Sequence, residues 1–144
     1  VDGGTITQQD GHVMDIAATC LDVAGASYPE VYRGHAITPL EGKSLKPILK
    51  NAQRTPHAQL FFEHYGHKAV REGPLKLVAD ENGPWRLYDL SSDKSELHNL
   101  AGKHPEIVTR LAKDWNKWAI RTQAIDPPSA PDSLDSAMHM KVRP

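Results

Sequence analysis

The sequence predicts an α+β fold: a short four-stranded antiparallel sheet packed against a long C-terminal helix, with an additional N-terminal amphipathic helix. Three observations carry this expectation. Residues 60–90 form four short apolar runs separated by turn signals, at Tyr65-Gly66-His67, Gly73-Pro74 and Asn82-Gly83-Pro84. Beyond Pro105, Ile107, Val108, Leu111, Ala112, Trp115 and Trp118 recur at helical spacing. Near the start, Val13, Ile16, Ala17, Cys20, Leu21 and Ala24 make a second helical stripe.

Each element has a local reason. The polar, Gly-rich stretch Val1–Gly11 reads as an incoming loop. His12–Ala24 reads as a helix, with Asp10 as N-cap and Gly25 where a helix end takes a left-handed residue. His12 reads as a structural donor at the start of this helix. Ser27–Gly42 alternates turn residues with single hydrophobics and is expected to be an extended connection. Ser44 caps a short helix holding Leu45, Ile48 and Leu49, with Pro47 in its first turn, where a missing N–H costs little. Strands are expected at Leu60–His64, Lys68–Glu72, Leu75–Asp80 and Trp85–Leu90. Connections this short demand antiparallel neighbours, because parallel pairing needs a long crossover. Leu75, Leu77 and Ala79 alternate with Lys76, Val78 and Asp80, so one sheet face is wetter. Pro105 takes the first position of the longest helix, with Glu106 in its first turn. That helix covers one face of the sheet, and its tryptophans, each able to bury on the order of 200 Å², anchor it. After Gln123 the run Asp126-Pro127-Pro128-Ser129-Ala130-Pro131 stops any helix, and 123–144 reads as a Pro-rich tail or an arm.

Composition narrows the function. The chain has 144 residues, 39% of them hydrophobic, enough for a modest core. A net charge of -1 argues against nucleic-acid binding, which needs a basic patch. No apolar run approaches the roughly 18 residues of a membrane span. Cys20 is the only cysteine, so neither an internal disulfide nor a C-x-x-C zinc spacing exists, and it reads as a small buried helix residue.

Glu63-His64-Tyr65-Gly66-His67 is the one dense polar cluster, at a strand end and hairpin turn where binding groups often sit. Three readings stand: imidazoles contacting an anionic or sugar-like substrate, ligands to a metal completed from elsewhere, or a solvated turn. Asp93, Glu96 and His98 read as a turn bonding its own backbone. Arg71 and Arg86 read as partners in cross-strand ion pairs. No G-x-S-x-G, P-loop, H-E-x-x-H or dinucleotide fingerprint occurs.

Three segments resemble the C-terminal region of bacterial arylsulfatases, the formylglycine-dependent sulfatases. They are Gly11–Pro29 followed by Ile37–Leu49, Phe61–Ala79, and Gly83–Ala101 running on to the Trp115 and Trp118 helix. They follow the family's order over most of residues 11–122. The resemblance implies the fold of the sulfatase C-terminal subdomain, beside a large α/β domain of the alkaline-phosphatase type that this chain does not contain. Residues 1–57 would pack on that catalytic domain, 58–122 would form the sheet-and-helix subdomain, and 123–144 the tail.

The family hydrolyses sulfuric esters with a formylglycine matured within C-x-P-x-R or S-x-P-x-R and with calcium held by carboxylates and an amide. Cys20 is followed by Leu21-Asp22-Val23-Ala24 and does not match. No catalytic and no metal residue is therefore carried over, and the chain alone is expected to be inactive. Both cofactors are expected in the N-terminal domain. The stretch from Glu63 to Ala69 resembles a family segment E-H-x-G-N-R-A near the substrate mouth. His64 and Gly66 match, while His67 stands for Asn and Lys68 for Arg. The substrate-binding candidates are thus His64 and His67, facing a sulfated small molecule or glycan. The resemblance also implies a periplasmic or secreted parent, a point on which the chain's own residues are silent. With its domain partner absent, the 12–24 helix is expected to self-associate or to repack within the chain. Two alternatives stand beside this reading: a non-catalytic module binding a glycan or a protein, and part of a related phosphate or phosphonate ester hydrolase.

Overall fold

In the computed structural model, which describes residue 4 and residues 6–124, a four-stranded antiparallel sheet carries one long helix on one face. The strands are β3 (Leu60–His64), β4 (His67–Glu72), β5 (Leu75–Ala79) and β6 (Arg86–Asp89), in spatial order β3-β4-β5-β6. Register follows the alternation in the sequence: Phe61 pairs with Val70, Val70 with Leu77 and Leu77 with Leu87. This apolar row meets α3 (Pro105–Arg121), whose Leu111, Trp115 and Ala119 lie one turn apart. Val70, Leu77, Leu87, Leu111, Trp115 and Ala119 have no exposed surface and form the core. The Trp115 indole N–H donates to the carbonyl of Phe62 at 2.9 Å, and Phe61 stacks on Trp118 with ring centroids 5.4 Å apart. Both tryptophans of α3 are thus anchors, as their spacing predicted.

The margins of the sheet are closed by side chains. At one, the Glu72 carboxylate accepts from both terminal nitrogens of Arg110 at 2.9 and 2.6 Å and from the Gln59 amide at 3.0 Å. The guanidinium holds the Glu72 carboxyl below its usual range. Along β6, the Asn99 side chain accepts from the Leu87 N–H, and the Leu100 N–H donates back to the Leu87 carbonyl. This satisfies an outer strand that would otherwise present bare backbone.

The chain divides into two compact units, residues 1–57 and from Ala58 onward. The first holds α1 (Asp15–Ala24), a small hairpin of β1 (Val31–Tyr32) and β2 (His35–Ala36), and α2 (Lys46–Leu49). It departs from the sequence reading in five ways. α1 begins at Asp15, and Asp10 does not cap it; the N-cap is Met14, and the Asp15 carboxylate takes the His12 N–H instead. Gly25 does close the helix, at φ 65°. The buried positions of α1 are Asp15 and Ala18, while Val13, Ile16 and Val23 are 74%, 58% and 64% exposed. Cys20 is exposed rather than buried, because it lies away from the Asp15–Ala18 face. Ser27–Gly42 contains a hairpin, made by Arg33 and Gly34 both taking positive φ. α2 starts at Lys46 with Leu45, not Ser44, as its N-cap, though the Ser44 hydroxyl still accepts the Lys46 N–H at 3.1 Å. Most of the 123–144 tail expectation, from residue 125 on, lies outside the described residues.

Candidate functional site

The β3–β4 hairpin turns through two residues, Tyr65 at φ 48° and Gly66 at φ 84°. Two consecutive positive φ values are what a tight two-residue hairpin turn requires, and glycine supplies the second at no steric cost. Glu63 fastens the turn by accepting the Gly66 N–H at 2.8 Å. A Cβ on Gly66 would lie 2.5 Å from the Glu81 side chain, so Glu81 also packs against this tip.

The turn makes His64 and His67 direct cross-strand partners. Residues so paired project from one face with Cβ atoms about 5 Å apart. Even-numbered positions of β3 share that face, opposite to α3. His64 and His67 line a concavity of about 320 Å³, floored by Phe62 and Val78 and bordered by Lys76, Asp80, Arg86 and Glu96. The Tyr65 ring meets His64 edge-on at 4.5 Å.

The charges in this groove are mostly matched. Lys76 pairs with Glu96 at 2.5 Å and Arg86 with Asp80 at 2.9 Å. His67 Nδ1 lies 3.5 Å from the other Asp80 oxygen. Lys68 belongs to the opposite face, its ammonium 5.4 Å from the centre of the Trp115 ring, where burial pushes its pKa down. The groove therefore offers an apolar floor, two matched ion pairs and two imidazoles. Such a lining offers hydrogen-bonding imidazoles beside an apolar floor. Arg86 takes the cross-strand ion pair expected of it, and Asp93 accepts the N–H groups of Leu97 and His98, as a turn residue should.

A second polar cluster escaped sequence reasoning. The Asp15 carboxylate is fully buried and accepts from four donors: the N–H groups of His12 (2.9 Å) and Lys43 (2.8 Å), Arg54 Nη2 (3.0 Å) and His57 Nε2 (2.7 Å). The Arg54 and His57 side chains are only 4% and 6% exposed. Burial alone would raise the Asp15 pKa; the backbone donors, then His57 and Arg54, outweigh it and lower the value from 3.8 to about 2. Arg54 also bonds the carbonyls of Lys43 and Asp10, so this cluster straps residues 42–57 to α1. The one signal in the sequence is a carboxylate inside an otherwise apolar stretch.

The family model for the C-terminal region of N-sulphoglucosamine sulphohydrolase matches residues 2–121. The chain belongs to this family. The sulfatase resemblance read in the sequence, and the fold it implied, are thereby borne out. An uncharacterized sulfatase of Schizosaccharomyces pombe is 32% identical over 134 residues, covering 85% of this chain and 23% of the relative. An N-acetylglucosamine-6-O-sulfatase of Bacteroides thetaiotaomicron is 30% identical over 104 residues, covering 62% and 17%. A solved structure of a protein in complex with its substrate D-glucosamine-2-N,6-O-disulfate aligns with a TM-score of 0.55 at 26% identity, over 81% of this chain and 25% of that one. The chain thus spans about a fifth of the length of the curated relatives it matches.

The described residues of this sulfatase C-terminal region do not fit the family's cofactors. Among the described residues no group of three or more His, Cys, Asp or Glu side chains is placed to hold a metal ion. Cys20, on an exposed helix face, lacks the C-x-P-x-R context. Among the described residues no helix is long and apolar enough to cross a membrane.

Proposed function

We propose that this chain is the C-terminal part of a longer sulfatase that hydrolyses sulfate monoesters of saccharides, and that it walls the substrate cleft and braces the catalytic domain. The family match over residues 2–121 is the observation that carries the reading. Two relatives named as sulfatases support the chemistry, and the amino sugars in the names of one relative and one solved structure support a sulfated amino sugar as the ligand. Formylglycine and calcium would reside in the part of the protein outside this chain, and no step of the reaction is assigned to residues here.

His64 and His67 are proposed as contacts to the saccharide. Their side-by-side placement over an apolar floor supports this: neutral imidazoles exchange hydrogen bonds with hydroxyls, and charged ones attract sulfate. The exposed Val13, Ile16 and Val23 face of α1 is proposed to meet the catalytic domain, since burying it would recover about 25 cal/mol per Å².

The test uses the whole protein with glucosamine 6-sulfate as substrate. His64→Ala should lower kcat/KM, chiefly through KM, and leave the melting temperature within a degree or two. Unchanged kinetics together with a marked loss of stability would assign His64 to the fold instead.

A further inference from the structure

Arg86, Asp80 and His67 form a row across the open face of the sheet, from β6, the end of β5 and β4. Asp80 Oδ2 accepts from Arg86 Nη2 at 2.9 Å, and its Oδ1 lies 3.5 Å from His67 Nδ1. Arg86 is itself fixed by register, since its backbone pairs with Val78 two residues before Asp80. The carboxylate, 60% exposed like the imidazole, thus lies between a permanent cation and a ring that lines the groove.

We infer that Asp80 is a positioning residue: braced by Arg86, it favours the proton of the neutral His67 ring on Nδ1, leaving Nε2 as the acceptor for a saccharide hydroxyl. An ionised carboxylate accepts and never donates, so at 3.5 Å it favours the proton on the ring nitrogen that faces it. The other nitrogen then has only a lone pair to offer, and a neutral ligand group opposite it must be a donor. A sugar hydroxyl is such a donor; a sulfate oxygen is not. The two nitrogens of His67 thus divide the work, and hydroxyl recognition falls to Nε2. Lys76 and Arg86 are each already matched by Glu96 and Asp80, so the groove discriminates by hydrogen-bond geometry rather than by surplus positive charge. The inference rests on the cleft reading above, and it adds the residue that sets the polarity of the contact.

The test uses the 144-residue chain, nitrogen-15 labelled at histidine, at a pH where His67 is neutral. Long-range proton–nitrogen spectra report the tautomer directly. The expected result is the Nδ1–H form for His67, reverting toward Nε2–H in Asp80→Asn and restored in Asp80→Glu, with the Trp115 indole resonance unmoved as the sign of an intact core. In the whole protein, Asp80→Asn should raise KM for glucosamine 6-sulfate about tenfold, the loss of about one hydrogen bond. An Nε2–H tautomer in the unaltered chain would overturn the inference whatever the ligand does. The assigned tautomer, with kcat/KM of the whole protein unmoved by both His67→Ala and Asp80→Asn, would instead overturn the cleft reading, and with it the hydroxyl contact.

Discussion

Replacing Asp15 by Asn removes one charge from the centre of the Asp15–Arg54–His57 cluster and keeps the volume. The structure sets the magnitude in two ways. The Asp15 carboxyl is lowered from 3.8 to about 2, and each pH unit is worth about 1.4 kcal/mol, so the ionised form contributes about 2.5 kcal/mol of stability. The substitution also leaves Arg54, 4% exposed, without its counter-charge, and breaking a buried pair from one side typically costs about 3–5 kcal/mol. A loss in that range is expected for residues 1–57 at pH 7. The folded-state pKa lies below the unfolded one, so the stabilisation is complete above the usual carboxylate range and fades as pH falls from about 4 toward 2. The difference between the unaltered chain and Asp15→Asn should therefore be flat from pH 7 down to about 4.5 and then shrink. Hydrogen exchange of the His12 and Lys43 amides, which donate directly to this carboxylate, reports the unit without interference from the sheet. Should Asp15→Asn unfold the unit outright, His57→Phe removes a single donor and is expected to cost about 1–2 kcal/mol. Protection of those amides unchanged in Asp15→Asn, or a stability difference that persists undiminished to pH 2, would refute the reasoning.

Trp115→Ala empties the centre of the core and removes the indole bond to Phe62, so urea denaturation of the sheet unit should show a loss of about 3–5 kcal/mol. A loss below 1 kcal/mol would mean that the core is organised around other side chains. Gly42→Ala places a Cβ 2.1 Å from the Met14 carbonyl oxygen and should destabilise the first unit by about 1–3 kcal/mol. Gly73→Ala, at φ 54° with nothing within 4 Å, serves as the comparison and should cost only its backbone strain, about 1 kcal/mol. The two losses, read from thermal melts, should differ in that order. The exposed α1 face should make the isolated chain self-associate, and Ile16→Lys should abolish the association in light scattering; a chain that is monomeric at every concentration would show that this face needs no cover.

The sequence by itself determined whatever depends on neighbours a few residues apart. The β3 strand, a reversal after His64, the Pro105 helix start and the Leu111–Trp115 row follow from local spacing and turn chemistry; that the turn takes only Tyr65 and Gly66, so that β4 begins at His67 rather than Lys68 and His67 pairs with His64, came from the structure. The ordered segments from Gly11 to Ala101 also carried the family. Periodicity showed that the first helix has an apolar face, yet not where that face points; in the structure the buried positions are Asp15 and Ala18 because partners reach them from residues 43–57. Lys43, Arg54 and His57 lie 28 to 42 positions from Asp15, and no spacing rule links a carboxylate to donors so distant. Asp80 and Arg86 likewise read as separate charged residues until the β5–β6 register sets them in one row with His67. Local sequence fixes backbone conformation because its forces act within a turn or a hairpin. The company a charged side chain keeps is decided by chain reversals between distant segments, and only tertiary structure supplies those.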